Sequence, residues 1–228
     1  MYESLLTLPY FQGMSKDDIT RILDKVTFDF INHRCGDYIY KEKDECDKFS
    51  ILIKGKMSCV TSSIENGYTL SESIEAPFAI EPYSLFGGKT KYKRSYIAEE
   101  SCSVLVFDKK YLFSEFARHD IFTINLLNLI SNKTQKNLQL LQEPIPTSIE
   151  GRIAQFIALR CEQHKGYKRV GIKMEQLAVL MCETRLNISK ALNTLNDMGL
   201  VELHRKEIII PSLKELTDAV KEYRKETD

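Results

Sequence analysis

The sequence predicts an α+β fold laid out in consecutive stretches, and three observations predict it. Between Phe28 and about Phe107, apolar residues fall into short alternating runs separated by polar turns; from about Asp108 they switch to helical spacing. One helical stretch, Asp120 to Pro146, carries a seam at intervals of three and four residues. Near the C-terminus, a short helix, a tight turn, a second helix and two strands with basic residues between them follow one another without a break.

Composition sets the frame for these elements. The 228 residues are 43% apolar and 28% charged, which suits one large or two ordinary globular domains, each with its own core. The formal net charge is zero. Residues 1–146 hold 18 basic and 20 acidic side chains and residues 147–228 hold 14 and 12, so a small positive excess lies in the C-terminal part. The six cysteines, Cys35, Cys46, Cys59, Cys102, Cys161 and Cys182, form no CxxC pair and match neither a zinc site nor a disulfide framework. No basic-then-apolar leader opens the chain, and no apolar run reaches the roughly 18 residues of a membrane span. A cytoplasmic location, reduced structural thiols and no membrane partner are expected.

The first 27 residues read as short helices. Ser15 with Asp18 resembles a capping box, and Ile19, Ile22, Leu23 and Val26 then recur at helical spacing. About eight short strands follow, punctuated by Gly36, Gly55 and Gly67, at the spacing of a sandwich or barrel. Ile124, Leu127, Ser131, Thr134, Leu138 and Leu141 then form an a/d seam along about 30 Å of helix. Such a seam on a long helix between two domains calls for a partner helix, and a symmetric homodimer is the simplest one. Pro144 and Pro146 break that helix and read as a hinge. Ser148 is placed to cap the next helix, whose body runs from Gly151 to Cys161, and Gly166 ends the segment. A last amphipathic helix shows Leu213, Leu216, Val220 and Tyr223 on one face.

The segment from Lys173 onward is the most informative. A short helix ends at a turn over Cys182–Thr184, where such turns usually carry Gly, and Thr184 can cap the helix from Arg185 to about Met198. With Arg185 at zero and about 100° per residue, Ile188, Ala191, Leu192 and Leu195 share one arc and form the buried face. Leu186, Ser189, Lys190 and Asn193 share the opposite arc, with Arg185 at its margin. The small Ala178 lets the two helices cross closely, and Ile188 fills the angle between them. Two helices joined by three residues can set the second into a DNA major groove. After Gly199, two strands around His204, Arg205, Lys206 and Glu207 form a wing whose tip can meet phosphate. An apolar residue on the outward face, Leu186, suits a thymine methyl.

The whole arrangement resembles the CRP/FNR transcriptional regulators, over nearly the full chain. "GRIAQFI" (Gly151 to Ile157) is similar to the segment that opens that family's DNA-binding domain. "LPYFQGMSKDDITRIL" resembles its N-terminal segment, and "LIKGKMSCV" its central strand pair. Gln176 to Ile210 fits its helix-turn-helix and wing without a gap. The resemblance implies an N-terminal double-stranded β-roll (a cupin-like jelly roll) over residues 1–116, a dimerisation helix and hinge over 117–146, and a C-terminal winged helix-turn-helix over 147–228. It implies a homodimer on a palindromic double-stranded DNA operator, with RNA polymerase as a further partner. The DNA contacts it implies are Arg185, Leu186, Ser189, Lys190, Asn193, Arg205 and Lys206. Leu186 stands where the family usually has Glu, so the half-site should differ from the familiar ones.

The resemblance also implies an effector pocket at Ser84, Leu85, Phe86, Gly87, Arg94 and Ser95. Arg94-Ser95 matches the family's phosphate-binding pair. Tyr83-Ser84 replaces the Gly-Glu that holds the ribose, and Asn137-Leu138 replaces the Thr-Ser that meets the purine. Cyclic AMP is therefore not the expected effector, and which small molecule, if any, takes its place stays open. No cysteine precedes Cys35, which argues against the family's iron-sulfur sensor. Only His33 lies in the strand region, with His119, His164 and His204 elsewhere, so a cupin-type metal enzyme is not expected. A ligand-binding interaction module that does not bind DNA specifically is the competing class.

Overall fold

The computed structural model describes residues 6–163 and 166–227, with Leu23 and residues 221–227 as backbone only. His164 and the side chains of Leu23 and Tyr223 lie outside the described residues. The chain divides into two compact units, one of residues 1–58 and 74–141 and the other of residues 59–73 and 142–228.

The first unit opens with helix α1 (Lys16–Leu23). Ser15 Oγ accepts the Asp18 N–H at 3.1 Å and its hydroxyl donates to the Asp18 carboxylate at 2.6 Å, the capping pattern that the spacing predicts. Ile19 and Ile22 are buried, as helical spacing requires. Eight strands follow in the chain, six of them wholly in this unit and β4 and β5 shared with the second: β1 (Asp29–His33), β2 (Tyr38–Tyr40), β3 (Lys48–Lys54), β4 (Lys56–Ser63), β5 (Tyr68–Glu75), β6 (Phe78–Ile80), β7 (Ser95–Ala98) and β8 (Cys102–Asp108). One antiparallel sheet has the order β1-β8-β3-β6, with Lys48 opposite Asp108 and Leu52 opposite Val104. The central pair, β3 and β8, is buried on successive residues, which is why both read as continuous apolar runs. Strands β2 and β7 pair antiparallel in a second layer.

Helices α2 (Lys110–Ser114) and α3 (Asp120–Gln142) close this unit. Phe122 anchors the start of α3 in an aromatic cluster with Phe11 and Phe116. Helix α3 ends at Gln142, just ahead of the Pro144 and Pro146 that read as its break in the sequence. Pro144 disfavours helical backbone at Glu143, so the helix ends before the first proline.

The second unit contains α4 (Ile149–Ala158), β9 (Lys168–Ile172), α5 (Met174–Met181), α6 (Arg185–Asp197), β10 (Glu202–His204), β11 (Glu207–Ile210) and α7 (Leu213–Thr227). Ser148 Oγ accepts the Gly151 N–H at 3.1 Å and starts α4. Helix α4 ends at Ala158, before the Cys161 expected from the apolar pattern. The sheet runs β10-β11-β9-β5-β4, the last two contributing their outer halves, Cys59–Ser63 and Tyr68–Ser73. Its core gathers Ile153, Ile157, Val170, Leu177, Ile188, Leu192, Leu195, Ile210, Leu213 and Leu216. Two features were not expected from the sequence: strand β9 itself, and the inclusion of the β4–β5 hairpin in this sheet. Strand β9 does alternate, with Lys168, Val170 and Ile172 inward, but a lysine inward and Gly171 outward hide the pattern.

Candidate nucleic-acid interface

The candidate interface is built on the α5–turn–α6 segment. Helix α5 starts where the Gln176 carboxamide accepts the Lys173 N–H at 3.4 Å. It stops because Cys182 takes a left-handed backbone, φ +53°, at the place where Gly is usual. The Glu183 N–H returns to the Ala178 carbonyl at 2.9 Å. Thr184 Oγ1 then accepts the Asn187 N–H at 3.2 Å and starts α6. Arg152 clamps this turn: Nη1 donates to the Met181 carbonyl at 2.8 Å, and the guanidinium bonds the Glu183 carboxylate. Glu183 also accepts from Asn187 Nδ2 at 3.0 Å. The Asn187 and Arg152 hydrogen bonds together hold the Glu183 carboxyl below the usual carboxylate range.

Helix α6 divides as its spacing predicts. Ile188, Ala191, Leu192 and Leu195 are buried. Arg185, Lys190 and Asn193 are exposed, and Ser189 is half-buried between them. Leu186 is 64% exposed, an apolar group held outward on a polar face. Arg205 and Lys206 alone form the turn between β10 and β11; Lys206 has φ +63°, and its carbonyl accepts the Ile172 N–H at 3.0 Å. His204 and Glu207 pair across the ladder and close the turn.

These elements line an open cavity of about 290 Å³. Its polar lining comes from Lys173, Arg185, His204, Arg205 and Lys206, with Glu175 and Glu207 among them, and Leu177, Leu192, Leu203 and Ile208 form its apolar floor. Arg185 Nη1 lies 3.3 Å from Glu175 Oε1. That pair is exposed on both sides, so water screens it and the guanidinium can exchange Glu175 for an anionic partner. A concave surface with this donor set, beside an exposed helix face, suits phosphate oxygens and base edges. Lys173, Glu175, Arg152 and Glu183 escaped the sequence reading. Arg152 lies inside "GRIAQFI", but nothing in linear spacing joins it to a carboxylate 31 residues away.

The other two residue sets lie in the first unit. Ser84 and Leu85 are buried and Phe86 and Gly87 exposed, while Arg94 and Ser95 are half-buried. Both hydroxyls are engaged by the chain: Ser84 Oγ donates to Glu81 at 2.8 Å, and Ser95 Oγ accepts the Glu42 N–H at 3.0 Å. Glu81 is a buried carboxylate that also accepts from the Lys93 N–H at 2.9 Å and the Tyr96 hydroxyl at 3.1 Å. Tyr83 lies under Lys133 of α3, with Nζ 3.9 Å from the ring centre. On α3, Ile124, Leu127, Ser131, Thr134, Leu138 and Leu141 are all exposed. Among the described residues, no group of three His, Cys, Asp or Glu side chains could hold a metal ion, and no helix is long and apolar enough to cross a membrane.

No protein-family model matches the chain. No curated protein sequence matches it. Solved structures do resemble it. The catabolite activator protein of Thermus thermophilus is 19% identical, with 93% of this chain and 100% of that one covered, at a TM-score of 0.51. A mutant of CooA from Carboxydothermus hydrogenoformans is 16% identical, with 96% and 94% covered, at 0.50. The N-terminal domain of a transcriptional regulator from Streptomyces coelicolor is 16% identical, with 64% and 99% covered, at 0.50. At these identities the likeness is one of fold: helices with antiparallel sheets.

Proposed function

We propose that this chain is a sequence-specific DNA-binding transcriptional regulator of the CRP/FNR type. The observation that carries the reading is the pairing of the exposed α6 face with the basic Arg205–Lys206 turn across one cavity. In this reading α5, α6 and the β10–β11 hairpin are a winged helix-turn-helix. Arg185 and Lys190 reach guanine edges or phosphate, Leu186 meets a thymine methyl, and Ser189 and Asn193 donate to bases or backbone. Arg205 and Lys206 hold the backbone. The first unit, a β-roll, senses an effector, and residues 117–146 supply the dimerisation helix and hinge. The exposed seam from Ile124 to Leu141 is covered by a second copy. The homodimer presents two recognition helices about 34 Å apart to a palindromic operator. An effector acts by favouring one hinge arrangement, by no more than its differential affinity. RNA polymerase is the expected downstream partner.

Binding-site selection with the full chain, followed by titration of the selected duplex at several salt concentrations, tests this. The expected result is an enriched palindrome whose affinity falls linearly with salt on logarithmic axes. No enrichment and no saturable binding would point instead to a protein-interaction module.

A further inference from the structure

The second unit ends in two turns on one side of its sheet. Thr69 of β5 and Glu207 of β11 both pair with Gly171 of β9, so the three residues lie level. Tyr68 pairs with Ile172, whose N–H donates to the Lys206 carbonyl. The turn of Ile64–Gly67 therefore leaves the sheet at the same end as the Arg205–Lys206 turn. In the order β10-β11-β9-β5-β4 their centres lie three strand spacings apart, about 14 Å.

This second turn is a built element. The Gly67 N–H donates to the Ile64 carbonyl at 3.2 Å, and Asn66 donates to Ser63 Oγ through its backbone N–H at 3.3 Å and its amide at 2.9 Å. Gly67, with φ +61°, packs so closely on the Gln176 side chain that a Cβ would collide with it. Gln176 caps α5, the helix whose first turn lines the cavity. The strand behind the turn is tied down by Tyr68, which packs edge-on against Phe156 and accepts from Arg160 Nε at 2.9 Å. The outward side chains are Ile64, 97% exposed, with Glu65 and Asn66.

We infer that the Ile64–Gly67 turn is a second wing, lying along the backbone of the duplex that flanks the α6 contacts. The inference rests on the DNA-binding reading above. A separation of about 14 Å corresponds to about four base pairs at 3.4 Å each. The Asn66 carboxamide has two hydrogens and gives one to Ser63 Oγ, so the other supplies a neutral donor for a phosphate oxygen, and Ile64 lies against the sugar edge. Glu65 opposes the phosphates and holds this contact weak.

The test uses the full chain and the selected operator in two lengths, one ending at the α6 contacts and one extended by several base pairs on each flank. Wild type binds the extended duplex more tightly. Glu65→Lys tightens extended-duplex binding several-fold and steepens its salt slope by about 0.9 per added phosphate contact, leaving the short duplex unchanged. Ile64→Ala and Asn66→Ala weaken only the extended complex. Variants that move neither duplex, or both equally, overturn the second wing while the DNA reading stands. A turn that governs capture of a partner protein and not extended-duplex affinity also overturns it. Failure of wild type to bind either length overturns the DNA reading and the second wing together.

Discussion

Glu72 and Lys168, 96 residues apart in the chain, form an ion pair of 2.9 Å with neither side chain exposed. The Glu72 carboxylate also accepts the backbone N–H groups of Glu162 and Gln163. The pair joins β5 to β9 and makes residues 59–73 part of the C-terminal sheet. A buried pair of this kind adds little over apolar packing, but it makes the loss of one partner costly.

Lys168→Met should therefore destabilise the full chain by about 3–5 kcal/mol, because the Glu72 carboxylate stays buried without its counterion. Adding Glu72→Leu should recover part of that loss, because it removes the buried charge. Urea unfolding of the three proteins decides it. A Lys168→Met variant as stable as wild type would show that the pair is not a constraint.

The two faces of α6 should separate stability from recognition. Ile188→Ala empties a fully buried site and should cost about 2–5 kcal/mol in unfolding. Arg185→Ala should leave the unfolding midpoint near wild type and weaken binding to the selected operator by about 1–3 kcal/mol. Leu186→Ala should relax the preference for thymine at one position. Anisotropy titrations against matched and substituted duplexes measure both effects.

Thiol chemistry gives an independent reading of the same region. Cys35 and Cys182 are exposed and the other four cysteines buried. Burial pushes the Cys46 thiol up to about 11 and raises Cys102 as well. Two thiols should react quickly with an aromatic disulfide at pH 8, and six after unfolding. Duplex DNA should protect Cys182, which stands in the turn ahead of α6, and leave Cys35 reactive.

Acid stability should depend on Glu183. Its folded-state pKa lies below the ordinary value, so its contribution is full above about pH 4.5 and is lost as pH falls through the lowered pKa. The stability difference between wild type and Glu183→Gln should be constant near neutrality and shrink in acid. A difference that stays constant into strong acid would show that the carboxylate is not the source.

Cyclic AMP should leave the thermal midpoint unmoved, since the Ser84 hydroxyl is bonded to Glu81 and the Ser95 hydroxyl already holds a backbone amide. A ligand at one hundred times its dissociation constant adds about 2.7 kcal/mol, enough to see in a melt. A shift at millimolar cyclic AMP would mean that both hydroxyls exchange these partners for the nucleotide.

Much of this architecture was legible in the residues because it depends on near neighbours. Helix caps at Ser15, Ser148 and Thr184 are contacts over three residues. The buried arc Ile188, Ala191, Leu192 and Leu195 follows from 3.6 residues per turn. The change from strand to helical period marks where the first unit's sheets give way to helices. By itself the sequence determined these elements, the exposed α6 face and the basic turn.

Tertiary structure decided what near neighbours do not encode. Strand β9 was hidden because the inward position of Lys168 is tolerable only with Glu72 opposite, and no periodicity names a partner 96 residues away. Sequence separation likewise hides the meeting of Arg152 with Glu183, of Arg185 with Glu175 and of the Ile64–Gly67 turn with α5. Strand neighbours and buried charge partners are chosen by the free energy of the whole packed unit, where desolvation makes each unpaired group costly. Local propensity sets which elements form; only their assembly settles which of them share a sheet and which side chains meet around the cavity.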